Sequence, residues 1–265
     1  MTNIEVERCA LENAWQEALS VYSADPLKTV MDYALRGGKY LRGLLLISTS
    51  KACGGYWEQA IPPAVAIEMV HAASLAVDDL PALDESKTRR GRPALHCRFG
   101  EAHAILAAHA LVATAFQVLS TTPLDPQRIV VLVRLLSAAV GGRGMTLGEL
   151  LDIEKGDRSD YIVDNLKTAS LFQAAAETGG VVAGTGDGLL ASLRQWGAQI
   201  GSCYQTLDDL EDAPVRDDNW FSLRRDFQKN SAATGSIFAS VRPELADATP
   251  LEQWLDYVSA PQQRW

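Results

Sequence analysis

The chain has 265 residues, 47% hydrophobic and 22% charged, which gives a globular protein enough apolar material for one large core. A formal net charge of −9 and a pI near 5.0 argue against a general nucleic-acid binder, so any anionic ligand must be met by local cations or metals. Cys9, Cys53, Cys97 and Cys203 are far apart and form no C-x-x-C pair, so neither a zinc site nor a disulfide framework is indicated.

The N-terminal "MTNIEVERCALENAW" carries acids and no continuous apolar core, so it is not read as a signal peptide. No later run of about 18 apolar residues is read as a membrane span. A cytoplasmic protein is the expectation. No stretch resembles a linker, so the expectation is a single domain over 1–265.

Taken in chain order, "RGGKYLRG" sets Arg36, Lys39 and Arg42 around a Gly37–Gly38 turn. In "IPPAVAIEMVHAASLAVDDL", Val65, Met69, Ala72 and Ala76 share one face of a helix that Pro62 and Pro63 would start and the first acids would end. "GEAHAILAAHALVATAFQVLS" predicts a second long helix, rich in small residues that permit close packing. "PQRIVVLVRLLSAAVGG" predicts a third, stopped by Gly141 and Gly142. "DNLKTASLFQAAAETGGVVAG" and "SLRQWGAQIGSCYQTLDDLEDA" predict two more, with short breaks at "TTPLDP", "KGDRSD" and "GTGDG". Helices with one apolar stripe each must bury it against one another, so the fold expected is an all-α bundle of roughly ten helices.

Two acid clusters end two otherwise uncharged helical runs. In "DDLPALD", Asp78 and Asp79 diverge by about 100° around a helix, and Pro81 bends the chain so that Asp84 can return toward Asp78. In "DDLED", Asp208 and Asp212 lie four apart on one face, with Asp209 and Glu211 beside them. One such cluster is ordinarily solvated charge. Two at the ends of apolar helices repel unless a cation offsets them, and their oxygens suit Mg²⁺ bridged to phosphate. Arg89, Arg90 and Arg92 follow the first cluster, and with the basic glycine turn they point to a diphosphate substrate. The turn is not a P-loop, because the G-x-x-x-x-G-K-[ST] spacing is missing. His71 lies two helical turns below Asp78 on the same face, and His96 could donate to a phosphate. His103 and His109 read as ordinary helix residues, and Glu85 and Lys87 as solvated charges.

These residues resemble the head-to-tail trans-isoprenyl diphosphate synthases, in order through "GGKYLRG", "EMVHAASLAVDDLPALDESKTRRGRPALH", "GMTLGELLD", "LKTASLF" and "YQTLDDLED". The likeness is strongest to geranylgeranyl diphosphate synthases of bacterial carotenoid-type pathways. The resemblance implies an isoprenoid synthase fold, all-α around a central cavity and usually a homodimer. It implies that Asp78, Asp79 and Asp84 match a DDxxxxD metal motif and Asp208, Asp209 and Asp212 a DDxxD motif, with three Mg²⁺ expected between them. Arg89 matches a contact to an allylic diphosphate, while Lys39, Arg42, His71 and Arg90 match the residues that grip isopentenyl diphosphate. Lys167, Thr168 and Gln205 match residues that stabilise the leaving group and developing cation, and Asp226 and Lys229 match downstream substrate contacts. Ala73 and Ser74 match the positions that set chain length. Both are small, which implies a deep pocket and a twenty-carbon product.

The chain departs from the family pattern at several positions. Gly43 stands where proline is usual, Glu149 where glutamine is usual, and Phe221 where a lysine follows the second acid motif. The C-terminal region reads as shortened. Against a geranylgeranyl diphosphate synthase stand a shorter-chain farnesyl or geranyl synthase, a class I terpene cyclase and a non-catalytic regulatory subunit. "DDLED" is not the N-S-E type motif of cyclases, and both acid motifs, which such subunits usually lose, are present.

Overall fold

A computed structural model describes residues 3–22, 26–155, 165–212 and 218–259. The helices are α1 (Asn3–Ser20), α2 (Pro26–Leu35), α3 (Leu41–Ala52), α4 (Trp57–Asp78), α5 (Leu95–Phe99), α6 (Glu101–Ser120), α7 (Pro126–Val140), α8 (Met145–Lys155), α9 (Ser170–Ala183), α10 (Asp187–Asp212), α11 (Asp218–Val241) and α12 (Thr249–Ser259). A π-helical turn, Asn165–Ala169, leads into α9, and a 3₁₀ turn, Arg242–Glu244, follows α11. The fold is all-α, as the periodicity predicts.

The α6 and α7 predictions agree with the observed helices, and α10 runs to Asp212 as the acid-ended pattern requires. The start of α4 differs. Pro62 and Pro63 lie inside the helix, which begins at Trp57. The donors they lack fall near the helix start, where Glu58 is exposed and water can serve the unpaired carbonyls.

A second correction concerns apolar runs. Trp57–Asp78, Glu101–Ser120 and Pro126–Glu154 each contain a window long and apolar enough to cross a membrane, with mean hydropathy 1.5, 1.6 and 1.5. They do not stand out as continuous apolar runs because alanine, glycine and scattered polar residues interrupt the large side chains. In Trp57–Asp78, 67% of that window is buried within the fold, which accounts for its composition.

The chain packs as two compact units. The first comprises residues 1–44 and 58–133, so it holds α1, α2, the first turn of α3, nearly all of α4, and α5 and α6. Trp15 and Tyr40 pack here with ring centroids 5.1 Å apart, and Tyr22 shares a 2.8 Å hydroxyl hydrogen bond with Thr114 of α6. Residues 63–70 of α4 are buried without interruption, so this helix is covered on every side rather than along a stripe.

The second unit comprises residues 45–57 and 134–265. Its core holds the fully buried Phe172, Trp196 and Trp254, and the Trp254 indole N–H donates to Ser48 Oγ at 3.1 Å. Helices α9 and α10 approach through Gly197 and Gly201. A Cβ at either would lie 2.7 Å from an alanine carbon, of Ala176 and Ala169 respectively. Small residues at successive turns let the backbones touch, which brings the π-helical turn against α10.

Candidate active site

In the first unit the site begins with a hairpin that strand alternation did not predict. Strands β1 (Thr88–Arg89) and β2 (Arg92–Pro93) pair antiparallel, with Arg89 opposite Arg92. The two-residue loop has φ of 55° at Arg90 and 70° at Gly91, the signature of a type I′ turn. Two residues per strand leave too little sequence for a periodic signal.

This turn sends Arg89 to a carboxylate and Arg90 and Arg92 to backbone carbonyls, that of Arg36 being shared. Arg89 Nε donates to Asp79 Oδ1 at 3.0 Å and its Nη2 to the same oxygen at 2.5 Å. Asp79 is only 2% exposed, so the pair is sheltered, and the Asp79 hydrogen bond is the first cause holding the Arg89 pKa above its ordinary value. Arg90 Nη1 donates to the carbonyls of Ala34, Leu35 and Arg36 at 3.1, 3.2 and 3.2 Å, capping the C-terminus of α2. Arg92 Nη2 donates to Tyr33 O at 3.1 Å and Arg36 O at 2.6 Å, and its guanidinium lies 4.4 Å over the Tyr33 ring.

The glycine turn is shaped by the same arginines. Gly37 has φ of 80°, and a Cβ on Gly38 would stand 3.1 Å from the Arg90 guanidinium carbon. Lys39 follows and is exposed. Arg42 Nη1 lies 3.1 Å from His71 Nε2. Because arginine only donates, that nitrogen accepts and the ring proton sits on Nδ1. Burial first, and then the charges of Arg42, Arg90 and Arg89, push the His71 pKa well below its ordinary value, so the ring is neutral.

Beneath them lies Glu68, a residue that none of the sequence motifs singles out. It is buried on α4, and Oε1 accepts the Gly43 backbone N–H at 2.7 Å. Burial raises its pKa, while the Gly43 N–H and the charges of Arg42 and Arg90 act the other way. A lone acid in the apolar run "AVAIEMVH" was the available signal. Proline at 43 would remove that donor.

Helix α4 ends at Asp78, and the predicted return of the chain is present: the Asp84 N–H donates to the Asp78 carbonyl at 2.9 Å. Asp78 is partly exposed and Asp84 exposed, whereas Asp79 faces the arginine. Ala73 is buried and Ser74 half-buried, its Oγ donating to the His71 carbonyl. A cleft of about 30 Å³, lined among others by Ala72, Ala76, Asp79, Arg89, Arg90 and Arg92, has room for one water.

In the second unit, Lys167 and Thr168 sit in the π-helical turn, a feature frequent at functional sites. Lys167 Nζ lies 3.0 Å from Glu149 Oε2 and 2.5 Å from Asp152 Oδ2. Burial pulls its pKa down, and the two carboxylates more than offset this, leaving it above the ordinary lysine value. Thr168 Oγ1 donates to Gln205 Oε1 at 2.8 Å, and Gln205 Nε2 donates to Asp209 Oδ1 at 2.8 Å. This relay fixes the amide orientation and ties the π-helical turn to the second acid cluster.

Asp208 and Asp209 are partly exposed near the end of α10, and the Asp212 side chain lies outside the described residues. Among the described residues, no three His, Cys, Asp or Glu side chains gather to hold a metal. Asp79, expected in one ligand set with Asp78 and Asp84, accepts from Arg89. Asp226 and Lys229 are exposed on α11, as is Phe221 at 57%. The break expected at "KGDRSD" also lies outside the described residues apart from Lys155.

The same stretches match known proteins. The family profile described as polyprenyl synthetase matches residues 24–246. The heterodimeric geranylgeranyl pyrophosphate synthase large subunit 2 of Arabidopsis thaliana is 36% identical over 214 residues, 77% of this chain and 56% of that protein. The farnesyl diphosphate synthase of Micrococcus luteus is 37% identical over 193 residues, 70% of this chain and 66% of that protein. The chain thus spans somewhat more than half the length of the curated relatives it matches. Among solved structures, the FPP/GFPP synthase of Zymomonas mobilis superposes with a TM-score of 0.87 at 29% identity, covering 98% of each chain.

Proposed function

Since this chain belongs to the polyprenyl synthetase family, we propose that it condenses isopentenyl diphosphate head-to-tail with an allylic diphosphate, farnesyl diphosphate by preference, releasing geranylgeranyl diphosphate and diphosphate. The observation that carries this reading is the basic cluster of the first unit, where Arg90 is held against the Gly37–Gly38 turn, Arg42 by His71 and Arg89 by Asp79. Such fixed guanidinium groups bind phosphate oxygens without reorganising first.

In this reaction the allylic C–O bond breaks and its electron pair leaves with diphosphate. The π pair of isopentenyl diphosphate forms the new C–C bond, and the departing diphosphate takes the proton whose loss restores a double bond. Lys167 would meet the leaving diphosphate as a cation. The Thr168 hydroxyl and Gln205 carboxamide would place dipoles along the developing allylic charge. Arg89 would meet the allylic diphosphate, while Lys39, Arg42, His71 and Arg90 would hold isopentenyl diphosphate, His71 through its neutral ring. Asp78, Asp84, Asp208 and Asp209, with Asp212, carry hard oxygens that suit Mg²⁺, which when bound neutralises charge on the leaving diphosphate. Asp79 would act through Arg89 instead.

The small, buried Ala73 supports the twenty-carbon product. Ala73→Tyr should move product to farnesyl diphosphate, and an unchanged product profile would remove Ala73 as the pocket floor. The name of the Micrococcus relative favours a second reading, a fifteen-carbon synthase. Purified chain with Mg²⁺, labelled isopentenyl diphosphate and each allylic primer in turn decides between them by product length. No elongation with any primer defeats both.

The proposed assembly is a homodimer. Ile105 and Leu106 on α6 are 41% and 60% exposed, an apolar pair that a second copy could cover. Light scattering tests this by mass.

A further inference from the structure

The ammonium of Lys167 lies between two carboxylates of one helix. Glu149 and Asp152 stand three apart on α8, so both project from the same face toward the π-helical turn. The turn is pressed against α8 at Gly148, where a Cβ would lie 2.6 Å from the Lys167 backbone nitrogen and 2.8 Å from Leu166 Cβ. The lysine stem therefore starts beside α8 and folds back onto it.

One cation against two anions leaves this group one negative charge in excess. Two of the three ammonium donors are directed at carboxylates. The two acids are not equivalent, since the Glu149 side chain is 17% exposed and that of Asp152 42%. Water screens the Glu149 charge less, so its field at the ammonium is the more persistent.

We propose that Glu149 is a positioning residue that sets the charge of the Lys167 site, drawing the ammonium toward α8 and weakening its hold on a diphosphate. The inference rests on the reading that Lys167 meets the leaving diphosphate. Its functional sense is turnover: a lysine partly occupied by Glu149 releases inorganic diphosphate sooner than a free one. Glu149→Gln keeps the shape and an acceptor oxygen while removing the charge.

The test is calorimetric titration of the full chain with inorganic diphosphate in Mg²⁺ buffer. Glu149→Gln should bind roughly tenfold more tightly than the wild type, the size expected when one partly screened carboxylate no longer competes with the anion for the ammonium. In steady state the same variant should lower KM for the allylic diphosphate and lower kcat, a split that lost packing alone would not produce. In a Lys167→Met background, Glu149→Gln should change affinity less than about twofold, because no ammonium remains to be released. Glu149→Ala is the second variant and should tighten binding in the same direction.

Unchanged or weaker binding by both Glu149 variants overturns the proposal, as does a full gain that persists without Lys167. Failure of wild type and variants alike to bind inorganic diphosphate overturns it too. A wild type that binds inorganic diphosphate yet elongates no primer defeats the prenyltransferase reading and leaves the Glu149 inference to its binding data.

Discussion

Helices α4 and α10 both carry an uncharged run into paired aspartates, yet the two ends are held by different physics. Asp79, after α4, is buried and matched by a guanidinium. Asp209, near the end of α10, is partly exposed and held by the Gln205 amide. The first end has charge compensation by a guanidinium in a sheltered place, the second an uncharged amide donor nearer water. A similar pattern of letters thus specifies an ion pair in one unit and a hydrogen-bond relay in the other.

The sharpest way to break this contrast is to remove each partner. Arg89→Ala should cost about 3 kcal/mol in denaturant unfolding, because it strands a buried carboxylate. Gln205→Ala should cost only about 1 kcal/mol. Equal costs would erase the distinction. Arg92→Ala comes next at about 2 kcal/mol, from two charged hydrogen bonds to the Tyr33 and Arg36 carbonyls and the Tyr33 stack, read by the same unfolding curve.

His71 offers a pH signature confined to the first unit. Its folded pKa is depressed, so the unfolded chain binds the extra proton, and stability is lost as pH falls below the unfolded value of about 6.5. The slope contributed by one such group is at most about 1.4 kcal/mol per pH unit. The melting-temperature difference between wild type and His71→Asn should therefore be flat above that pH and shift against the wild type below it. The smallest effect expected is from Thr168→Val, under about 1 kcal/mol in stability, since its hydroxyl makes one half-buried neutral bond. Its larger mark should fall on kcat in primer elongation.

The long helices were legible because their apolar periods and glycine stops are local. Ser120 and Val140 end α6 and α7 next to the predicted punctuation. The sites were legible as residue types, since Lys39, Arg42, His71, Arg89, Lys167 and Gln205 all fall in the quoted motifs. Partnership was not. Nothing in "DD" says that one aspartate faces an arginine and the other partly faces water, because that is decided by a turn ten residues later. Glu68 escaped notice because its partner, the Gly43 N–H, is a backbone donor that leaves no trace in sequence. Pro62 and Pro63 misplaced the start of α4 because the carbonyls they leave unpaired fall in its first turns, beside the exposed Glu58, where water serves them and the helix can begin earlier.

The Arg90–Gly91 turn also acts as a sorting device. Neighbouring residues at a hairpin end point in different directions, so three like side chains in close succession reach Asp79, the Ala34 and Leu35 carbonyls and the Tyr33 face, and only the Arg36 carbonyl is shared, by Arg90 and Arg92. The sorting depends on register rather than on chemistry, because the side chains are identical. A one-residue insertion at this turn would keep every charge in the chain and hand each guanidinium to the wrong address.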